Sequence, residues 1–348
     1  MSYGIGIVGT GMIARHHARA IAELEGAHLA AVTSRSEGRA QALAGELGCK
    51  GYGDIVAMLD DPDVQIVSIC TPSGAHLEPA LAAAEAGRHI MIEKPIEITL
   101  ERCDAVIEAA AKHGVQLAGI FQSRFFEAAR EVKQAIEAGR FGKMVLADAY
   151  VKWYRPQEYY SQGGWKGTKR FDGGGALMNQ SIHAVDLLLW LAGPVASVQA
   201  YCGVRGHEGI EVEDTAVAAL QFESGAMGVL EGSTAVYPGF LKRLEISGTS
   251  GSAILEEEDL KAWSFSDETP EDEEIRSRFG AATKTGGGAS DPGAIGLEGH
   301  RKQFQQFVDA VRTGSPVALN GEEARKAVAL ILSVYQSAAD GCPVAVPR

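Results

Sequence analysis

Three groups of residues have types and spacings that do chemistry. Asn179 and His183 stand four apart after the run Gly173-Gly174-Gly175, on a segment of helical period, and Asp186 follows three residues later. Positions four apart share a helix face. An imidazole titrating near neutrality is a natural general base for a secondary alcohol, and the Asn179 amide can hydrogen-bond either that ring or a neighbouring hydroxyl. Lys94 lies in Glu93-Lys94-Pro95, directly after the apolar run 90–92. An ammonium there can hold a substrate hydroxyl and stabilise the alkoxide as hydride leaves, with Glu93 to orient it. Taken singly, such a turn is also an ordinary surface ion pair, and a helical histidine an ordinary core residue. The third group, Gly9-Thr10-Gly11-Met12-Ile13-Ala14, follows a strand-like run and opens a helical one. Gly9 suits the tight turn, Gly11 lets backbone approach a pyrophosphate, and Ala14 allows close helix packing. The helix start at Met12 and Ile13 offers free N–H groups and a favourable dipole.

About twenty residues on, where an NAD site commonly carries Asp or Glu for the ribose 2′-OH, this chain reads Thr33-Ser34-Arg35-Ser36. Without that carboxylate a 2′-phosphate is not repelled, and Arg35 with Arg39 one turn further supplies positive charge beside Ser34. The reading favours NADP. Arg35 stacked on adenine or facing water is compatible with NAD, so the cofactor is written NAD(P). The loop 153–167 gathers five aromatic residues, among them Tyr154 and Trp165, on whose faces a sugar ring can stack. Arg155, Lys166 and Lys169 suit a carboxylate or phosphate on that substrate. An aromatic-rich oligomer interface is the other reading of this loop. The histidines lack metal-ligand spacing such as H-E-x-x-H, and no metal is expected.

The elements that must position these groups follow from periodicity. Apolar runs at 5–8, 29–33, 66–69, 90–92 and 116–120 alternate with helical segments at 12–24, 37–47, 74–86 and 100–113. That alternation is the signature of βαβ units. The pattern changes after Gln122-Ser123-Arg124, with a helix at 128–138, a strand at 144–152, a helix at 176–191 and extended runs at 195–204, 215–222, 226–234 and 240–248. The aperiodic stretch 283–299 reads as a loop, and helices at 301–312 and 321–340 close the chain. The expected fold is α/β: a doubly wound parallel sheet over 1–122, then an α+β domain with a mostly antiparallel sheet over 123–348.

Composition narrows the partners. The 348 residues carry a formal charge of −13, and the stretch 256–274 alone holds ten acids against one lysine. It reads as a solvated acidic loop or hairpin, and the basic stripe that nucleic acid requires is missing. Five scattered cysteines form no C-x-x-C pair, which argues for a reducing compartment. No signal peptide is evident, and the most apolar stretch, 184–198, is interrupted by Asp186, Gly193 and Pro194. A cytoplasmic protein with no membrane partner is expected.

Taken together, the glycine motif at 9–14, Glu93-Lys94-Pro95 and the Gly-Gly-Gly helix ending in His183 resemble the Gfo/Idh/MocA family, and the likeness runs through both domains. The resemblance implies an NAD(P)-dependent oxidoreductase with a Rossmann domain, acting on a secondary alcohol of a sugar, sugar derivative or cyclic polyol. Lys94 would hold the reacting hydroxyl and His183 would be the acid/base. It further implies cofactor contacts from Thr71, Pro72, Ser73, His76, Glu93 and Lys94, and an open-faced sheet that makes a homodimer or homotetramer. Gln122 and Arg124 match the family's crossover segment and would face cofactor and substrate. Many members carry Asp four residues before the histidine; this chain carries Asn179, as do members that resemble nucleotide-sugar dehydrogenases. Two other activities fit the same motifs: a glycosidase that cycles a tightly bound NAD(P), and a non-catalytic dinucleotide sensor.

Overall fold

The computed structural model describes residues 2–161, 164–280, 289 and 296–348. They divide into two compact units, one of 1–122 with 297–328 and one of 123–296 with 329–348.

In the first unit the apolar runs become β1 (Tyr3–Val8), β2 (Ala27–Thr33), β3 (Lys50–Tyr52), β4 (Ile66–Ile69), β5 (His89–Ile92) and β6 (Leu117–Gly119). Between them lie α1 (Met12–Ala22), α2 (Glu37–Leu47), α3 (Ile55–Leu59), α4 (Leu77–Glu85) and α5 (Leu100–His113). The strands form one parallel sheet in the order β3-β2-β1-β4-β5-β6. Ile5, Ile7, Ile66, Val67, Ile90 and Ile92 are fully buried, as strands covered on both faces must be. The strand order reverses between β1 and β4, so the loops leaving them diverge and open a crevice at the C-terminal edge of the sheet. β3 and α3 are additions to the expected pattern. Each is too short to show a period, and α3 is started by the Asp54 carboxylate accepting from Ala57 N at 2.8 Å.

The second unit contains α6 (Glu127–Glu137), β7 (Met144–Lys152), two single turns α7 (Glu158–Ser161) and α8 (Lys169–Asp172), and a π-helical segment (Ala176–Ser181) that runs into α9 (Ile182–Ala192). Then follow β8 (Val195–Gly203), β9 (Thr215–Phe222), β10 (Met227–Ser233), β11 (Arg243–Gly248), β12 (Gly251–Glu256), β13 (Asp259–Phe265) and α10 (Pro270–Phe279). With β14 (Val344–Ala345) at one edge, the sheet has the order β13-β12-β11-β7-β10-β9-β8-β14. It is antiparallel except between β7 and β10. Alternation decides its faces: Ala147, Ala149, Ala218, Leu220, Leu230 and Ile246 point inward, while Leu146, Tyr201, Val217 and Met227 are exposed. α9 packs against β7 and β11 on the covered side.

Two expectations are corrected here. The segment 297–328, assigned by sequence to the second domain, belongs to the first unit. It carries α11 (Glu298–Thr313) and the start of α12 (Gly321–Asp340). The reason is the apolar stripe Phe304, Phe307 and Val308 on α11, which completes a core with Ile5, Ile7, Ile21 and Val32. The acidic stretch 256–274, read as a solvated loop or hairpin, includes a hairpin as expected but is not solvated throughout. It builds the β12–β13 hairpin and the first turn of α10, and Asp272 within it is fully buried. That carboxylate accepts from Arg140 at 2.7 and 2.8 Å and from Trp263 Nε1 at 2.6 Å, and the Arg140 bond in particular holds it well below the usual carboxylate range. Most of the expected loop 283–299 lies outside the described residues. All five cysteines are free thiols, and among the described residues no helix is long and apolar enough to cross a membrane.

Candidate active site

The first unit brings most of its candidate residues to the C-terminal edge of the parallel sheet. Gly9, just past β1, has φ +120°, and a Cβ there would lie 2.7 Å from the Cys70 carbonyl, so no other residue fits the turn. Gly11 is the N-cap of α1 and supplies no side-chain cap, which leaves the first-turn N–H groups at Met12 and Ile13 for a ligand. A Cβ on Gly11 would meet nothing within 4 Å, and Met12 beside it is exposed. Open space before an uncapped helix N-terminus fits a pyrophosphate. Past β2, Ser34, Arg35, Ser36 and Arg39 line an open cavity of about 350 Å³. Among the described residues no carboxylate lines it.

The loop after β4 is pinned from within. Thr71 Oγ1 donates to the Ala75 carbonyl at 2.8 Å, Thr71 and Pro72 stay partly exposed, and Ser73 is buried. His76, expected to touch the cofactor, is instead wholly buried, with ring nitrogens 2.8 Å from the Pro95 carbonyl and 2.9 Å from that of Thr71. Burial pulls its pKa down against the two carbonyls, and the ring ties the loop at 71–76 to the one at 94–97. Glu97 completes that tie, its carboxylate accepting from His76 N and Leu77 N at the start of α4 and from Arg102.

Glu93 is likewise a support. Its carboxylate accepts from Lys94 N at 3.1 Å and lies 2.9 Å from His17 Nε2 and 3.8 Å from His300 Nε2. Burial alone would raise its pKa, but the two imidazoles overcome that and keep it well below the usual range. Behind it, His17 Nδ1 sits 2.8 Å from Ser68 Oγ, and His300 Nδ1 lies 3.2 Å from His16 Nε2. The donor atoms of His17, Glu93 and His300 fall within 4.8 Å of one another, a spacing that a metal ion also tolerates, although no metal was expected from the sequence. His17 is hydrogen-bonded to both Glu93 and Ser68, and the cluster stands behind the backbone from which Lys94 projects. Sequence spacing missed it because His17 and His300 are 283 residues apart. Gln122, at the end of the 1–122 segment, is buried with its Oε1 lacking a hydrogen-bond partner among the described residues. An orphaned acceptor of that kind fits a ligand donor such as a carboxamide.

In the second unit the helix bearing His183 starts against a buried carboxylate. Glu213 accepts from Gly175 N and Leu177 N, both at 2.8 Å, and from Tyr335 Oη at 2.8 Å. A Cβ on Gly175 would stand 1.8 Å from the Glu213 carbonyl, which is why glycine is needed there. The first turns are π-helical, with Ser181 Oγ donating to the Ala176 carbonyl at 2.7 Å, and α9 proper begins at Ile182. His183 is partly exposed and Asn179 is buried. Asn179 Nδ2 donates to Asp172 Oδ1, while Asp172 Oδ2 accepts from Gly167 N at 2.7 Å. The Asn179 carbonyl accepts from Gln180 Nε2 at 3.3 Å, and Gln180 Oε1 accepts from Arg155 at 2.8 Å. Arg155, read from the sequence as a base for the substrate, is 1% exposed and holds protein groups.

Lys166 is half-buried over the Tyr159 ring, its Nζ 3.6 Å from the centroid, and burial pulls its pKa down. Trp165 is partly exposed beside it. Tyr154 is also partly exposed and meets Tyr237 edge to face at 5.3 Å. Arg124 is corrected as a substrate contact. Its guanidinium binds Asp186 bidentately at 2.8 and 2.7 Å, both side chains being buried in the second unit. Asp186 was visible in the sequence three residues past His183, but its partner was not.

Residues 3–121 match the oxidoreductase family with an NAD-binding Rossmann fold, and residues 129–254 match the GFO/IDH/MocA C-terminal domain. The solved WlbA dehydrogenase of Bordetella pertussis, in complex with NADH and UDP-GlcNAcA, is 32% identical with a TM-score of 0.89, over 100% of this chain and 98% of that one. The chain belongs to the GFO/IDH/MocA oxidoreductase family. Other similar members are the myo-inositol 2-dehydrogenase of Thermotoga maritima, 28% identical over 94% of this chain and 93% of its own, and the levoglucosan dehydrogenase of Pseudarthrobacter phenanthrenivorans, 27% identical over 84% and 82%. The family's Rossmann half is thus the first unit, with its glycine turn and Lys94. Its C-terminal half is the second, with His183.

Proposed function

We propose that this family member transfers hydride between a ring secondary alcohol of a carbohydrate and NAD(P), with Lys94 and His183 handling the proton. The observation that supports it most is the placement of Lys94 at the same sheet edge as the uncapped helix start at Gly11, on backbone fixed by Glu93 and His76. The N–H groups of α1 would hold the pyrophosphate, and Gln122 would accept from the cofactor amide. When bound, the dinucleotide supplies a hydride acceptor at nicotinamide C4. The Lys94 ammonium would donate to the oxygen of the reacting alcohol and His183 would take up its proton, so that the alkoxide-like charge is stabilised until hydride leaves.

An acidic or nucleotide-linked sugar is favoured over a plain polyol. Lys166, held over Tyr159 with its charge disfavoured by burial, regains a partner when a substrate carboxylate or phosphate approaches. The similar WlbA dehydrogenase was solved with such a ligand, UDP-GlcNAcA. The deciding experiment incubates the purified protein with NAD or NADP and a panel of inositols, sugars, sugar acids and nucleotide sugars, reading absorbance at the nicotinamide band. Reduced cofactor is expected with an acidic or nucleotide-linked sugar. Turnover of free inositol alone overturns the substrate reading, and glycoside cleavage without net reduction overturns the dehydrogenase.

NADP is favoured over NAD because Arg35 and Arg39 line the cavity past β2 and, among the described residues, no acid does. Arg35→Ala is expected to weaken NADP binding about tenfold or more, as loss of a charge-assisted phosphate contact does, and NAD less than twofold. Equal effects in a fluorescence titration would sink the 2′-phosphate reading. A cytoplasmic homo-oligomer fits the free thiols and the exposed Tyr201, Val217 and Met227 on the outer sheet face, where a second copy would sit.

A further inference from the structure

Position 179, four residues before His183, is an uncharged amide. A charge is present nonetheless, one hydrogen bond away. Asp172 is 1% exposed, and its two oxygens accept from Asn179 Nδ2 and Gly167 N. We propose that Asp172 is a positioning residue which, through Asn179, supplies the negative charge that the His183 helix lacks at its own position 179. The inference rests on the reading of His183 as the acid/base.

Three hydrogen bonds through Asn179 run one way. Arg155 donates to Gln180 Oε1, Gln180 Nε2 to Asn179 Oδ1, and Asn179 Nδ2 to Asp172. A cation therefore stands at one end of the chain and an anion at the other, so neither amide can flip without losing two bonds. Such chains polarise, and the carboxylate makes the Asn179 carbonyl a stronger acceptor than a free amide would be. Asp172 is also the last residue of α8, and its bond to Gly167 N ties it to the end of the 153–167 loop. One carboxylate thus joins the aromatic loop to the His183 helix. Other charged or titratable groups around this network are Lys166, Arg155 and Tyr159 on the loop side. On the helix side stand Glu213 with Tyr335 and the Arg124–Asp186 pair.

The test compares Asp172→Asn with the exchanged double variant Asp172→Asn, Asn179→Asp. The exchange preserves these three bonds: the amide now at position 172 offers its oxygen to Gly167 N and its NH₂ to the carboxylate now at position 179, which still accepts from Gln180. Asp172→Asn is expected to lower kcat about 10- to 50-fold with the dinucleotide KM within about twofold. The NMR titration midpoint of His183, assigned through a His183→Gln protein, should fall by about 0.5–1 unit as the charge is lost. The exchanged variant should recover both. An Asp172→Asn protein with an unchanged kcat and midpoint overturns the proposal, and so does an exchanged variant no better than the single one. The midpoint is read without turnover. If the wild-type protein oxidises no sugar, the proposed activity fails while the midpoint still decides the role of Asp172.

Discussion

Lys94→Ala should lower kcat/KM by about 10³-fold or more while leaving dinucleotide affinity within a few-fold of wild type. The split follows from where the residue stands. Its backbone is fixed independently of its side chain: Glu93 takes the Lys94 N–H, and His76 bridges the carbonyls of Thr71 and Pro95. Removing the ammonium leaves that frame intact, and with it the uncapped helix start at Gly11 proposed to hold the pyrophosphate. What is lost is the donor proposed for the alcohol oxygen, which turns alkoxide-like as its proton leaves and sheds that charge as hydride departs, and such donors act far more strongly in the transition state than in the ground state. The checks are steady-state kinetics with the substrate found above, dinucleotide fluorescence titration, and a melting temperature within about 2 °C of wild type. Undiminished turnover removes lysine from the mechanism.

Glu213→Ala should cost about 3–5 kcal/mol of stability, because three buried donors, Gly175 N, Leu177 N and Tyr335 Oη, lose their acceptor together. For a unit of this size the melting temperature should drop by about 6–15 °C, with turnover falling in parallel as the His183 helix loosens. Burial raises the Glu213 carboxyl pKa above its ordinary value of 4.5 despite these donors. The folded state therefore holds a proton that the unfolded chain releases. The stability contributed by that proton is complete below pH 4.5 and is lost as pH rises through the folded value. Glu213→Gln should remove that part of the pH dependence. A loss below about 1 kcal/mol in Glu213→Ala, measured by urea unfolding, would show that water replaces the carboxylate.

Local signals in the sequence were enough to find the first unit's sheet and its glycine turn, since a strand, two glycines and a helix lie within some twenty consecutive residues. Lys94 and His183 were legible for the same reason, each carrying a short motif. Residues that hold these in place were not. His17, Glu93 and His300 meet from three separate segments, and Glu213 and Tyr335 reach the His183 helix from 21 and 143 residues beyond its end. Asp172 stood directly before the triple glycine, where an acid reads as loop, and only its bond to Asn179 gives it meaning. Arg124 and Arg155 were misjudged in the opposite direction: a guanidinium looks available for a substrate until the fold supplies Asp186 and Gln180.

By itself the sequence determined the class of fold, the dinucleotide turn and the identities of the two residues proposed to handle the proton. Each of these depends on periodicity or on near neighbours in the chain. Only the tertiary structure decided that α11 joins the first unit, that Glu93 and His76 are supports, and that a carboxylate serves Asn179 from outside its own helix. The physical reason is that a buried polar group must find a partner, and the partner is chosen by proximity in space among residues whose separation in sequence carries no signal.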